Sequence, residues 1–263
     1  MKSLFLVISI YSLFLSCGIE SAVEPEFINP PGSVSAYSLN NKIKIKFYAS
    51  NKESNFDGFN VYVAKESSLR NKKLNPVKNP ANGSVPTISM SAKNVDSSVP
   101  VEITISRDSN DEYIENGITY FIIVKSHSIN NVLSEPSNEV SATPRISNLN
   151  GVTVAVNSGF NMSTHSTSQL WDFKFQKISN KFYIVPLNGA GVSTKGYYED
   201  WTAVNSADDI EFVYNAPLFI EQGDVIVIKT ADEHYGKIQI KNLSESGVEF
   251  IWAYQQIQYN KEI

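Results

Sequence analysis

Cysteine is nearly missing from this chain: of 263 residues, only Cys17 is one. Internal disulfides are therefore excluded, and no thiol is left in the body of the chain to act as a nucleophile or a metal ligand. Histidine is almost as scarce. His127, His165 and His234 stand far apart, which rules out the close pairs of a His-Glu-x-x-His zinc motif. No Gly-x-Ser-x-Gly elbow occurs. The glycine-rich stretch from Gly189 to Gly196 fails as a phosphate loop, because Lys195 is followed by Gly196 and not preceded by a glycine. Excess positive charge is also lacking: 22 Lys and Arg face 27 Asp and Glu, for a net charge of -5. With no basic stripe to follow a phosphate backbone, nucleic acid is not an expected partner. Helical periodicity is almost absent, and one apolar run stands out, from Leu4 to Leu15.

That run directs the reading of the first residues. A short basic start at Met1-Lys2, the apolar core and a small residue, Ser16, form a signal peptide over 1–16, too short to span a bilayer. The segment Leu13-Phe14-Leu15-Ser16-Cys17-Gly18 resembles the lipobox of bacterial lipoproteins, with Phe14 at the position that usually holds Leu. The resemblance implies that Cys17 becomes the first mature residue and carries lipid, anchoring the chain by acyl-chain burial. Gly18 stands where an Asp would favour inner-membrane retention, so the expected address is the outer membrane, periplasmic or surface face. Residues 17–28 show no apolar period and read as a tether. At about 3.3 to 3.6 Å per residue they lift the body some tens of Å from the membrane.

The remaining roughly 245 residues suffice for two domains. With 42% hydrophobic and 11% aromatic residues, burial alone can stabilise them. From Pro30-Pro31 the pattern turns to period two, the mark of half-buried strands. Ile43, Ile45 and Phe47 alternate with Lys42, Lys44 and Lys46. Phe59, Val61 and Val63 follow the turn signal Asp57-Gly58, and further strands are expected at Val101 to Ile105 and Tyr120 to Val124. Arg70 to Asn94, rich in Asn, Pro, Lys and Ser, reads as a long crossing loop. Gly117 to Ser126, followed by Ser134 to Pro144, resembles the last two strands of a fibronectin type III domain, covering 29–145. The resemblance implies an Ig-like sandwich in which Tyr120 opens the penultimate strand with its ring buried and its hydroxyl bonded back to the backbone. Phe47 stands where that family usually has Trp. There is no Arg-Gly-Asp sequence, so integrin binding is not implied.

Past a boundary expected at Arg145 to Leu149, strands resume without helices: Val152, Val154 and Val156, then Trp171 to Phe175, Phe182 to Val185, Val225 to Ile228 and Ile238 to Ile240. This implies a second antiparallel domain over 146–263, and an all-β chain. Three stretches in order resemble the C-terminal part of the HmuY family of secreted or lipid-anchored haem-binding proteins. They are Trp171 to Phe175, the Asn-Gly-rich turn Leu187 to Gly196, and Ile228 to Ile240 with Trp252 to Gln255. The resemblance makes haem the alternative cofactor. The family's axial His or Met ligands have no counterpart between Tyr197 and Ile228. Candidate haem-contacting residues are then Tyr197 and Tyr198 with Tyr214 nearby, since Tyr can ligate haem iron, and Met162 and His165, close enough in sequence to share one pocket. Tyrosines in strands are more often core or rim aromatics, and His127 and His234 read as surface residues. The acidic groups Glu199-Asp200 and Asp208-Asp209-Glu211 read as solvated loops in preference to a calcium site, and no metal is expected. The overall expectation is a non-catalytic, lipid-anchored binding protein, with haem capture and adhesion to host proteins as alternatives.

Overall fold

A computed structural model describes residues 27–49, 51–78, 87–89, 96–168 and 170–263. The chain is all-β and antiparallel. Cys17, the signal peptide and most of the tether lie outside the described residues. So does much of the crossing loop expected over 70–94, although it contains a one-turn 3-10 helix, Leu69–Asn71, and a short strand.

The first seven strands are β1 (Gly32–Leu39), β2 (Lys42–Tyr48), β3 (Phe56–Ala64), β4 (Thr87–Ser89), β5 (Val101–Ile105), β6 (Tyr120–Ser128) and β7 (Val140–Ala142). They form two sheets, ordered β1-β2-β5 and β4-β3-β6-β7. Alternation works as written in β2: Ile43, Ile45 and Phe47 are fully buried, whereas Lys44 and Lys46 face outward and both pair with Glu102 on β5, at 3.0 and 2.8 Å. Across the sandwich, Phe47 meets Phe59 edge-on with centroids 4.8 Å apart. A phenyl ring thus fills this part of the core. Tyr120 opens β6, fully buried, and its hydroxyl oxygen accepts the Glu115 N–H at 3.0 Å. Three expectations change. Asp57-Gly58 is not a turn but a bulge inside β3, where the hydrophobic sequence on both sides continues the ladder. Ile28, expected in the tether, is buried in the first core. His127 is buried on β6, with its Nδ1 3.6 Å from Asp57 Oδ2.

Only Thr143-Pro144-Arg145 separates β7 from β8 (Ile146–Val154), so of the expected boundary residues 145–149 Arg145 is in the link and the other four are already strand. The rest comprises β9 (Gly159–Phe160), β10 (Phe173–Ile178), β11 (Lys181–Pro186), β12 (Gly191–Tyr197), β13 (Val213–Tyr214), β14 (Leu218–Ile220), β15 (Asp224–Lys229), β16 (Tyr235–Ser244) and β17 (Gly247–Tyr254). A six-stranded sheet, β13-β12-β15-β16-β17-β8, packs on a four-stranded one, β14-β11-β10-β9. Between them lies a core of Phe160, Phe173, Phe175 and Phe250 with Ile226, Ile228, Ile238 and Ile240. The opposite face of the six-stranded sheet is also covered: Val225, Val227 and Tyr235 pack against Val204, Ala207 and the C-terminal Ile263. Burial on both faces explains the uninterrupted run Val225-Ile226-Val227-Ile228. The expected Asn-Gly-rich turn is shorter than its sequence suggests. Asn188 and Gly189, both at positive φ, make the turn, and Gly191 onward is strand. Among the described residues no helix is long and apolar enough to cross a membrane.

Candidate functional site

The four residues named as haem contacts do not converge. Met162 is fully buried in the core between the two sheets, its methyl group seated on Gly236, where a Cβ would come within 2.6 Å. Its N–H donates to Asp172 Oδ2 at 2.7 Å. His165 lies flat on Trp252, with centroids 4.4 Å apart and planes 22° apart, and edge-on to Tyr254 at 6.0 Å. Met162 and His165 thus share a region, with Met162 inside the core and His165 half-buried over Trp252. Tyr198 packs on the other face of the six-stranded sheet, and Tyr197 is 72% exposed with its ring over Gly223. Tyr214 is exposed on β13.

Around His165 the structure assembles a polar cluster that sequence spacing did not bring together. His234, expected at the surface, is half-buried against Tyr254 at 5.7 Å. Its Nδ1 is 3.2 Å from Asp232 Oδ2, yet the ring N–H is out of line for a hydrogen bond, and the atom joins His165 Nε2 and Trp252 Nε1 as buried nitrogens without one. Burial lowers the pKa of His165 and raises those of Asp172 and Tyr254. Among the described residues no three His, Cys, Asp or Glu side chains converge as metal ligands. The acidic groups have local uses instead. Asp200 Oδ1 accepts the Thr202 N–H and hydroxyl at 2.9 and 2.6 Å. Asp208 Oδ2 accepts the Ser206 hydroxyl at 2.7 Å, which helps keep its carboxyl below the usual range.

A concavity lies between the two β units. It is a cleft of about 580 Å³, within the range of small-molecule sites, which favour such junctions. One wall is Ala36 and Tyr37 of β1 with Ser141 of β7; the other is Asn205, Ser206 and Asp208 with the tail Tyr259-Asn260-Lys261-Glu262. The second wall is zipped by backbone bonds: Ala207 N–H to Lys261 O at 2.7 Å and Ile263 N–H to Asn205 O at 2.9 Å. Burial of Ile263 fixes the end of the tail. Glu262 then spans the junction, accepting the Ser38 hydroxyl and, through both carboxylate oxygens, the Thr143 N–H at 3.0 and 2.8 Å. Gln255 adds bonds to Thr143 O and Glu262 O. Beneath the junction two cations are buried. Lys237 donates to the carbonyls of Trp201 and Val204. Arg145 leaves Nε and Nη1 unpartnered, and burial brings its pKa down to about 10 despite Glu262 nearby.

The lining combines hydroxyls, amides and one ion pair, Lys261 Nζ to Asp208 Oδ1 at 3.4 Å. Tyr259 stands out within it. Its side chain is 67% exposed although its backbone is left-handed at φ 63°, a conformation uncommon for a bulky residue. Its N–H is held by Glu233 O at 2.9 Å. Nothing in the sequence signalled this cleft. Its walls come from four distant stretches, and the tail residues carry no periodic pattern.

No family model matches the chain, and no curated protein does. Among solved structures, a DUF4466 family protein from Parabacteroides merdae is similar at a TM-score of 0.36 and 8% identity, with 88% of this chain and 99% of that one covered. A cycloalternan-degrading enzyme from Trueperella pyogenes, solved with cycloalternan, is similar at 0.25 and 8% identity, covering 86% of this chain and 32% of that one. Both scores fall below the level that shows a shared fold.

Proposed function

We propose that this chain is a lipid-anchored, non-catalytic binding protein of an outer membrane, tethered through Cys17, that holds a small polar ligand in the cleft between its two β units. The observation that carries this reading is the cleft itself, walled by both units and closed by a tail whose last four residues are fixed on each side. In this reading the first unit is a fibronectin-like spacer. Its three-on-four sandwich and the Tyr120 hydroxyl bond are consistent with that role. The second unit is HmuY-like and supplies the ligand-facing loop and tail. The sealed packing of Met162 and the separation of His165 from Tyr197 and Tyr198 weigh against haem as the ligand. Capture of a protein partner, the adhesin alternative, would use the outer sheet faces and leave the cleft indifferent. The anchor is tested by radiolabelled palmitate: label is expected in the native chain and absent from Cys17→Ser. Equal label in both would remove the anchoring half of the proposal.

A further inference from the structure

The chemistry of the cleft narrows what fits it. Its charges are already engaged: Lys261 faces Asp208 at 3.4 Å, and the Glu262 carboxylate accepts Ser38 and Thr143. No free cation is left in the lining to recognise a phosphate, and the apolar surface is confined to Ala36 and two tyrosine rings, too little for a porphyrin or an acyl chain. What remains are groups that both donate and accept. Ser141, Asn205 and Asn260 fit this description, placed on two walls and backed by fixed backbone, whereas the Ser206 hydroxyl is spent on Asp208. Tyr37 and Tyr259 add one ring from each unit. An aromatic face with a hydroxyl tip packs on the C–H side of a ring while its polar end stays hydrogen-bonded.

Tyr259 is the second, independent observation. A large aromatic held exposed on a left-handed backbone gains little from burial and carries strain, and such residues cluster at ligand clamps. Lys46 also sits 5.6 Å over the Tyr37 ring, its charge paired with Glu102 at 2.8 Å. From these features we infer that the cleft binds a neutral saccharide, gripped between Tyr37 and Tyr259 and read by the hydroxyl of Ser141 and the side-chain amides of Asn205 and Asn260. The inference rests on the proposed binding function and names its ligand class.

The test uses the full chain in detergent, titrated calorimetrically with a panel of neutral oligosaccharides built from glucose, galactose or mannose, and with their uronic-acid and phosphorylated counterparts. At least one neutral member is expected to bind, with an affinity insensitive to salt because no charge is exchanged. Tyr259→Gly should weaken that affinity about tenfold or more while the melting temperature holds or rises, since glycine relieves the left-handed strain. A purely structural Tyr259 would lower stability instead. Asn205→Ala, which leaves the backbone bond to Ile263 intact, should also weaken binding. Binding unchanged in both variants would overturn the inference, as would a panel in which no neutral sugar binds. Binding of only charged members, lost in the cleft variants, would sink the saccharide class and leave the binding function standing; no cleft-dependent binding by any member would sink both.

Discussion

Tyr120 concentrates two contributions in one side chain. Its ring fills the centre of the first sandwich, and its hydroxyl takes up the Glu115 N–H in a partly buried bond. Tyr120→Phe keeps the ring and removes that bond, so unfolding free energy should drop by about 0.5 to 1.5 kcal/mol, read as a lower urea midpoint at unchanged slope. No change would show that the bond adds nothing net. His165 and Met162 make a contrasting pair. Their nearness in sequence suggested a shared pocket, and the fold does bring both to the same end of the second sandwich. There Met162 packs against Gly236 in the core and His165 stacks on Trp252. Hemin added to the native chain is therefore expected to give no six-coordinate Soret band, and His165→Ala should leave the spectrum unaltered. A His-dependent Soret shift would reinstate the haem reading.

At the scale of elements, legibility followed periodicity. Strand β2 was plain because Lys42, Lys44 and Lys46 alternate with Ile43, Ile45 and Phe47, and one face is wet. Strand β15 was plain for the opposite reason: four apolar residues in a row suit a strand buried between the core and the 198–212 segment. The all-β character followed directly from such runs. Misreadings arose where turn chemistry lay inside a ladder. Asp57-Gly58 has the composition of a hairpin turn, yet β3 absorbs it as a bulge. Gly191 sits in a strand because Tyr214 and Phe212 approach within 2.7 and 2.9 Å of where a Cβ would stand, a close-packing demand that sequence cannot display. The tail was illegible altogether. Its residues are fixed by partners more than a hundred positions away, Thr143 and Ser38 among them, so neither period nor propensity marks them.

For the whole molecule the decisive group is Glu262, because it ties the tail to Ser38 and Thr143 and its charge acts on the buried Arg145. The geometry predicts that the halves unfold together in the native chain. In Glu262→Ala, the Thr143 N–H loses its acceptor and Arg145 loses the favourable field of a nearby carboxylate. Leaving a partly buried amide without an acceptor costs about 1 to 3 kcal/mol, so calorimetry should show the single transition split into two as the units uncouple. Arg145→Met alone should be close to neutral, because it removes a cation that is 4% exposed and already short of partners. Combined with Glu262→Ala, it should restore part of the loss, with a coupling of about 0.5 to 3 kcal/mol. Additive effects would mean that the junction is held by the Thr143 and Ser38 bonds alone. A single undisturbed transition in Glu262→Ala would mean that the cleft walls are aligned by something other than the tail.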